Sequence, residues 1–252
     1  MRISIKKVMS EAASFYRSNF NYIVKISLII CALQAFFLLR IPISPSPSVI
    51  VLIVILIVIW STMVLVFWPK LILAILIIIN SLLDGVKITL AEAYRQAKGK
   101  YWIVLSRYLI IGVIMFVPVL IIFLMRLPYP GAIGNIITWP ILSAFYVLNP
   151  IIALEQKTTN YFSKALQKIK GNFVTALKLH FLTTTSLAIA YAVLSNVFGG
   201  RTTATVIVEI FYTLISVVVY PFAASKVVIV YRKLSRDTQS VSPGNNFTET
   251  SQ

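Results

Sequence analysis

Three times along the chain a basic amphipathic stretch leads into two long apolar stretches, an order that restricts the fold to repeated helical hairpins in a membrane. Aligned without gaps on Arg17-Ser18-Asn19-Phe20, Lys98-Gly99-Lys100-Tyr101 and Lys170-Gly171-Asn172-Phe173, each unit reads base, small residue, polar residue, aromatic. The spacings are 81 and then 72 residues. Ala12, Ala93 and Ala165 stand five residues upstream of these turns. Lys25, Arg107 and Lys178 stand eight or nine residues downstream. Each second apolar stretch then carries an aromatic followed by proline: Trp68-Pro69, Trp139-Pro140 and Tyr220-Pro221.

Composition names the solvent. With 59% apolar and 12% charged residues and a mean hydropathy of +0.90, 252 residues exceed what an aqueous surface tolerates. Hydrocarbon cannot hydrogen-bond a bare backbone, and the apolar runs lack the alternation of barrel strands, so the spans are expected to be α-helices. About 20 apolar residues make one span. The sequence predicts an all-α polytopic protein with six transmembrane helices near 20–39, 49–79, 101–125, 135–154, 174–198 and 203–230. They form a membrane domain over 1–236, with units of about 3–82, 83–155 and 156–236. A polar tail, expected to be disordered, follows over 237–252. The run over 49–79 is long for one perpendicular crossing and predicts tilt, a bend at Pro69 or emergence on one face.

A formal net charge of +16 would suggest nucleic acid in a soluble protein, but the bases lie on one side of the predicted spans. Fifteen fall in the amino-terminal segment, the second and fourth connections and the tail: Arg2, Lys6, Lys7, Arg17, Lys87, Arg95, Lys98, Lys100, Lys157, Lys164, Lys168, Lys170, Arg232, Lys233 and Arg236. Only Arg40, Arg126 and Arg201 fall in the three opposite loops. Short cytoplasmic loops are rich in Lys and Arg, so both termini are expected in the cytoplasm of a cell-membrane, multi-pass protein. No small-residue cleavage site follows the first apolar run, which therefore reads as a retained helix. Asn246-Phe247-Thr248 matches a glycosylation acceptor in a tail predicted to stay inside, where it reads as a chance match.

The amphipathic stretches carry apolar residues at helical spacing: Ile5, Val8, Ala12 and Phe15; Val86, Leu90, Ala93 and Ala97; Phe162, Ala165 and Ile169. Such helices can lie in the membrane interface with their bases among anionic headgroups, or serve only as topology anchors. Lys25, Lys98, Lys100, Arg107, Lys168, Lys170 and Lys178 are the candidate headgroup contacts. Lys25, Arg107, Lys178 and Lys226 are placed to snorkel back from within the apolar runs.

Ionisable and hydroxyl groups inside the runs are the other candidates, since buried charge is costly and tends to be functional. Lys70 follows Pro69 and lies either near mid-membrane, facing a polar interior or an acid, or at the inner boundary. Glu209, six residues into the sixth run, is expected near the outer surface with Arg201 as neighbour. His180 precedes Thr183-Thr184-Thr185-Ser186, a run containing Thr184 that predicts helix packing through hydroxyl hydrogen bonds.

One His and one Cys leave no conventional multi-His or multi-Cys metal site. No H-E-x-x-H, G-x-S-x-G or phosphate-binding G-x-x-x-x-G-K-[ST] loop occurs. Seven acids, mostly at ends and in loops, leave little for paired-carboxylate catalysis. No enzyme activity, cofactor or nucleic-acid partner is expected. The expected partners are membrane lipids or a cytoplasmic protein.

The three units, with Ala12, Ala93 and Ala165 ahead of each basic-aromatic turn and a Pro221 helix ending in Val230-Tyr231-Arg232-Lys233-Leu234, resemble the six-helix membrane domain of prokaryotic glycerophosphodiester phosphodiesterases and related uncharacterised integral membrane proteins. The likeness covers about residues 3–236. The catalytic barrel of those enzymes has no counterpart here, so the resemblance implies the membrane fold without the activity. Two functions follow: a non-enzymatic membrane protein whose basic collar engages anionic lipid or a cytoplasmic partner, or a small transporter or channel lined by Lys70, His180 and Thr183 to Ser186.

Overall fold

The computed structural model describes residues 3–34, 47–125, 138–155, 160–198 and 202–240, and every element among them is helical. The loop bases Arg40, Arg126 and Arg201, Lys157 in the fourth connection and the Asn246 acceptor lie outside the described residues.

Helix α1 (Ile5–Ser18) turns at Asn19 into α2 (Phe20–Gln34), and α3 (Pro47–Leu83) follows. Helix α4 (Leu90–Ala97) passes through a 3-10 turn, Lys98–Lys100, into α5 (Tyr101–Leu124). Helix α6 covers residues 138–144 and α7 covers Leu148–Leu154. Helix α8 (Tyr161–Ile169) passes through a second 3-10 turn, Lys170–Asn172, into α9 (Phe173–Phe198), and α10 (Thr202–Ser240) closes the described chain.

Local chemistry sets these ends. Thr89 and Glu92 form a capping box at α4: the Thr89 hydroxyl accepts the Glu92 N–H at 3.2 Å, and the Glu92 carboxylate accepts the Thr89 N–H at 2.7 Å. Asn160 caps α8 by accepting the Ser163 N–H at 3.2 Å. Helix α3 stops at Gly85, whose φ of 77° suits a residue without Cβ. There the Val86 N–H donates back to the Ser81 carbonyl at 2.9 Å.

Two expectations about length change. The fourth run is not one helix: Phe145, Tyr146 and Val147 form a turn between α6 and α7. Pro150 has no N–H to offer the Tyr146 carbonyl and sits in the first turn of α7, where proline is tolerated. The second and sixth runs are longer than predicted: the helices reach Leu83 and Ser240 and run unbroken through Pro69 and Pro221. Thirty-seven and 39 residues make rods of about 55 and 58 Å at the standard rise. That is well beyond a hydrocarbon layer of about 30 Å. Helix α10 also continues through Ser240, past the Asp237 at which the tail was expected to begin.

The surplus length builds the core. The buried apolar cluster joins Val8, Ala12 and Tyr16 of α1 with Leu73 to Leu82 of α3. To these it adds Ala93 and Ala97 of α4, Leu148 to Ala153 of α7, Ala165 and Ile169 of α8, and Val228 to Leu234 of α10. It therefore lies at the collar end, among the short amphipathic helices. Away from it α3 exposes Val51, Val54, Ile55, Val58 and Ile59, and α5 exposes Leu109, Val113, Phe116 and Leu124. An apolar surface of that extent belongs in lipid. Three candidate spans, Val66–Leu83, Leu90–Pro118 and Thr213–Arg236, are long and apolar enough to cross a membrane. Helices α3, α7 and α10 touch one another, while α1 packs on α10, α4 on α3 and α8 on α7.

Candidate functional site

The seven candidate headgroup bases divide into two groups. Lys25, Lys98, Lys170 and Lys178 are exposed. Lys100, Arg107 and Lys168 are turned into the protein. Lys100 Nζ donates to the Ala153 carbonyl at 2.7 Å and to the Glu155 carbonyl at 3.2 Å. The Arg107 guanidinium lies 4.8 Å from the Phe162 ring centroid and 5.9 Å from that of Tyr161. Lys168 Nζ donates to Ser235 Oγ at 2.8 Å, lies 3.8 Å from Glu155 Oε1 and stands 5.2 Å from the Tyr231 ring centroid.

Glu155 is the acidic centre of this end. Its carboxylate pairs with Lys164 and Lys168 and accepts the Tyr231 hydroxyl at 3.1 Å, while its carbonyl takes Lys100. One residue after α7 thus joins α8, α10 and the turn before α5. Burial pushes the Lys168 ammonium below its ordinary value. The Glu155 carboxylate offsets part of that shift and Lys164 adds to it. The other acids described here are also engaged. Asp84 pairs with Arg232, which also donates to the Asn80 carbonyl at 3.4 Å. Glu11 accepts from Lys233 at 2.8 Å, and Glu92 is held by the Thr89 cap.

Lys70 and His180, two of the intramembrane candidates, have different surroundings. Lys70 lies 5.0 Å from the Tyr101 ring centroid and 5.5 Å from that of Tyr94. Its ammonium is thereby level with the first residue of α5 and faces two aromatic rings. His180 is half-buried and its Nε2 is buried without a hydrogen-bond partner. Thr184 bonds the His180 carbonyl at 3.0 Å and Ser186 bonds the Leu182 carbonyl, so these hydroxyls turn back onto their own helix. The side chain of Glu209 lies outside the described residues.

Lys226, expected to snorkel, does not. It is 2% exposed, donates to the Thr183 hydroxyl and lies 5.2 Å from the Phe222 ring centroid. Its inward turn has no local sequence signal, because the acceptor is on another helix.

Notches open beside the basic turns. A cavity of about 700 Å³ is lined by Tyr16, Arg17, Asn19, Asn21, Lys87 and Phe222, among others. Another, of about 770 Å³, borders Ser163, Gln167, Lys170 and Phe173. A third, of about 470 Å³, is almost wholly apolar and includes Trp139, Pro140, Lys178 and Phe181. Lys70 and Lys226 line none of these three. Among the described residues no group of three His, Cys, Asp or Glu could hold a metal ion. Comparisons with protein-family models, curated proteins and solved structures find no match in any of the three.

Proposed function

We propose that the chain is a non-enzymatic, multi-pass cell-membrane protein of six spans in three repeated units, whose basic cytoplasmic collar engages anionic lipid. The carrying observation is the division of charge at the collar end. Glu11, Asp84, Glu92 and Glu155 are each engaged by an internal partner, while Lys25, Lys98, Lys170 and Lys178 remain exposed. Exposed ammonium groups at the ends of long apolar helices suit anionic headgroups, each base contributing about 1 kcal/mol near such a surface.

The repeat reading draws support from the order of packing. Each amphipathic helix lies against the last helix of the unit before it, the third unit preceding the first: α4 on α3, α8 on α7 and α1 on α10. That order closes a ring of three around α3, α7 and α10, as a pseudo-threefold arrangement requires. Ala12, Ala93 and Ala165 are each 0% exposed. The resemblance to the membrane domain of glycerophosphodiester phosphodiesterases belongs to the same proposal and rests on those alanines, the basic-aromatic turns and the Pro221 helix.

Nanodiscs assembled from equal amounts of phosphatidylglycerol and phosphatidylcholine test the lipid reading. The purified chain is expected to retain an excess of phosphatidylglycerol. Changing Lys98, Lys170 and Lys178 together to Gln should remove most of that excess, and equal retention of both lipids by the unaltered chain overturns the proposal.

The buried Lys226–Thr183 pair beside His180 is the observation that favours transport instead. Reproducible flux of small anions in liposomes, lost in Lys70→Ala or Lys226→Met, would replace the lipid reading.

A further inference from the structure

We propose that the cavity between the α1–α2 turn and the loop before α4 is a specific seat for the phosphate headgroup of one anionic phospholipid, held by Arg17 and Lys87. The proposal deepens the lipid reading above and rests on it, replacing diffuse attraction at one place by a built site.

Three elements far apart in sequence make the cavity. Arg17 lies in the last turn of α1, Asn19 in the turn and Asn21 at the start of α2, Lys87 comes from the segment after α3, and Phe222 comes from α10. The Lys87 segment is fastened in place, because the Tyr22 hydroxyl donates to the carbonyl of the neighbouring Ile88. The floor is aromatic: the Tyr16 ring meets Phe20 edge-on at 5.5 Å and Phe222 at 5.9 Å.

The electrostatics have one sign. Arg17 and Lys87 are both exposed, neither pairs with a carboxylate among the described residues, and no acid lines the cavity. Glu92, the carboxylate that acts on nearby Tyr22, is turned onto the Thr89 cap. A guanidinium can hold two phosphate oxygens in parallel while an ammonium adds a point charge, so the pair suits a phosphodiester.

A second observation points to a ligand independently of the charges. Tyr16 lines the cavity, is 9% exposed, and its hydroxyl is buried with no hydrogen-bond partner. A buried donor left without an acceptor costs free energy, and a phosphate oxygen in the cavity would supply one. The notch beside Lys170 occupies the matching place in the third unit, with Phe173 where the first has Phe20. It has Ile169 where the first has Tyr16, and no second cation. The donor and the paired cations therefore single out the first notch.

A lipid is favoured over a soluble phosphate ester by what borders the site. The α1–α2 turn that forms it is the start of an apolar helix, and Phe20 is 43% exposed beside it, positioned for acyl chains.

The test measures binding of tail-labelled phosphatidylglycerol and tail-labelled phosphatidylcholine to the full chain in neutral detergent. The unaltered chain is expected to prefer phosphatidylglycerol at least tenfold. Arg17→Gln with Lys87→Gln should weaken that lipid about tenfold, Tyr16→Phe about threefold, and Lys6→Gln with Lys7→Gln, an equal loss of charge on α1 outside the cavity, less than twofold. Each variant is first shown to elute as one sharp species; where the double variant does not, Arg17→Lys and Lys87→Gln singly carry the comparison. Equal weakening by the Lys6/Lys7 pair overturns the seat but leaves the collar reading standing. Indifference of the unaltered chain to headgroup charge overturns both. Competition by glycerol 3-phosphate as strong as that by unlabelled phosphatidylglycerol would assign the cavity to a soluble phosphate ester and overturn the lipid.

Discussion

The backbone N–H of Ile3 donates to Asn172 Oδ1 at 2.8 Å, joining residues 169 positions apart. Thr175 adds a hydroxyl bond to the Ile3 carbonyl at 3.3 Å. Two other bonds follow the same rule. Tyr22 donates to the Ile88 carbonyl just before α4, and Lys100 donates to the carbonyls of Ala153 and Glu155 ahead of α8. In each case a residue of the turn leading into a long helix, or of that helix's own first turn, binds the backbone that precedes another amphipathic helix. The connections run from the first turn to α4, from the second to α8, and from the third back to α1. Their chemistry differs, and Tyr22 stands two residues after Phe20 where Lys100 and Asn172 stand one before Tyr101 and Phe173, but the backbone each one binds corresponds. Its bond to Ile3 keeps Asn172, at 7% exposure, among the buried polar residues of the collar.

Asn172→Leu should therefore destabilise the protein. The Ile3 N–H would stay buried without its acceptor, a loss of about 1–3 kcal/mol. Thermal unfolding in detergent, followed by elution of the intact species, is expected to place this variant below Asn21→Leu, whose side chain is exposed. Equal midpoints for the two would mean that the bond contributes nothing.

Glu155→Gln should be the most damaging single acid-to-amide change at the collar. Lys168, whose side chain is 10% exposed, would lose the nearest opposing charge, and stranding a mostly buried ammonium is expensive. Asp84→Asn breaks a pair whose carboxylate is 48% exposed, and exposed pairs are worth about 0–1 kcal/mol. The unfolding midpoint should fall several degrees further for Glu155→Gln than for Asp84→Asn. The reverse order would remove Glu155 from its central role.

What sequence reveals here depends on the range of the interaction that decides each feature. The amphipathic helices are legible because their period is local, and Thr89-Leu90-Ala91-Glu92 announces the start of α4 in four letters. The break before α7 was within reach too, through Asn149-Pro150, although an apolar run conceals it. The direction of a basic side chain is a different matter. Lys98 and Lys100 are two residues apart with the same charge, yet one is exposed and the other binds carbonyls more than fifty positions away. Arg107 and Lys226 turn inward for the same nonlocal reason, toward Phe162 and Thr183. Hydropathy also hides the core's position, since residues 71–79 and 222–230 read as membrane span but pack among the short helices.

Ala93 offers a test of that packing. It is 0% exposed on α4, which lies against α3, while Ala91 on the same helix is exposed. Ala93→Leu forces three extra carbons into a filled contact and should cost about 1–3 kcal/mol. Ala91→Leu should change the unfolding midpoint little. Under the repeat proposal Ala12→Leu and Ala165→Leu behave like Ala93→Leu, and a neutral result at either would separate that unit from the other two.

Orientation is the remaining expectation, and it follows from fifteen bases on one side of the predicted spans against Arg40, Arg126 and Arg201 on the other. Six spans put both termini in one compartment, and the charge bias assigns that compartment to the cytoplasm. In a Cys31→Ser background, single cysteines at Ser46, Gly131 and Gly200 should react with an impermeant thiol reagent in intact cells. Cysteines at Ser10, Ala91, Thr159 and Ser240 should react only after the cells are opened. Helix α3 is the point of risk, because its 37 residues form a rod of about 55 Å, well beyond one crossing of about 30 Å. Labelling at Ala91 from outside would place α4 and the Lys87 segment on the wrong face, and the anionic-lipid seat at Arg17 and Lys87 would then face the outer leaflet.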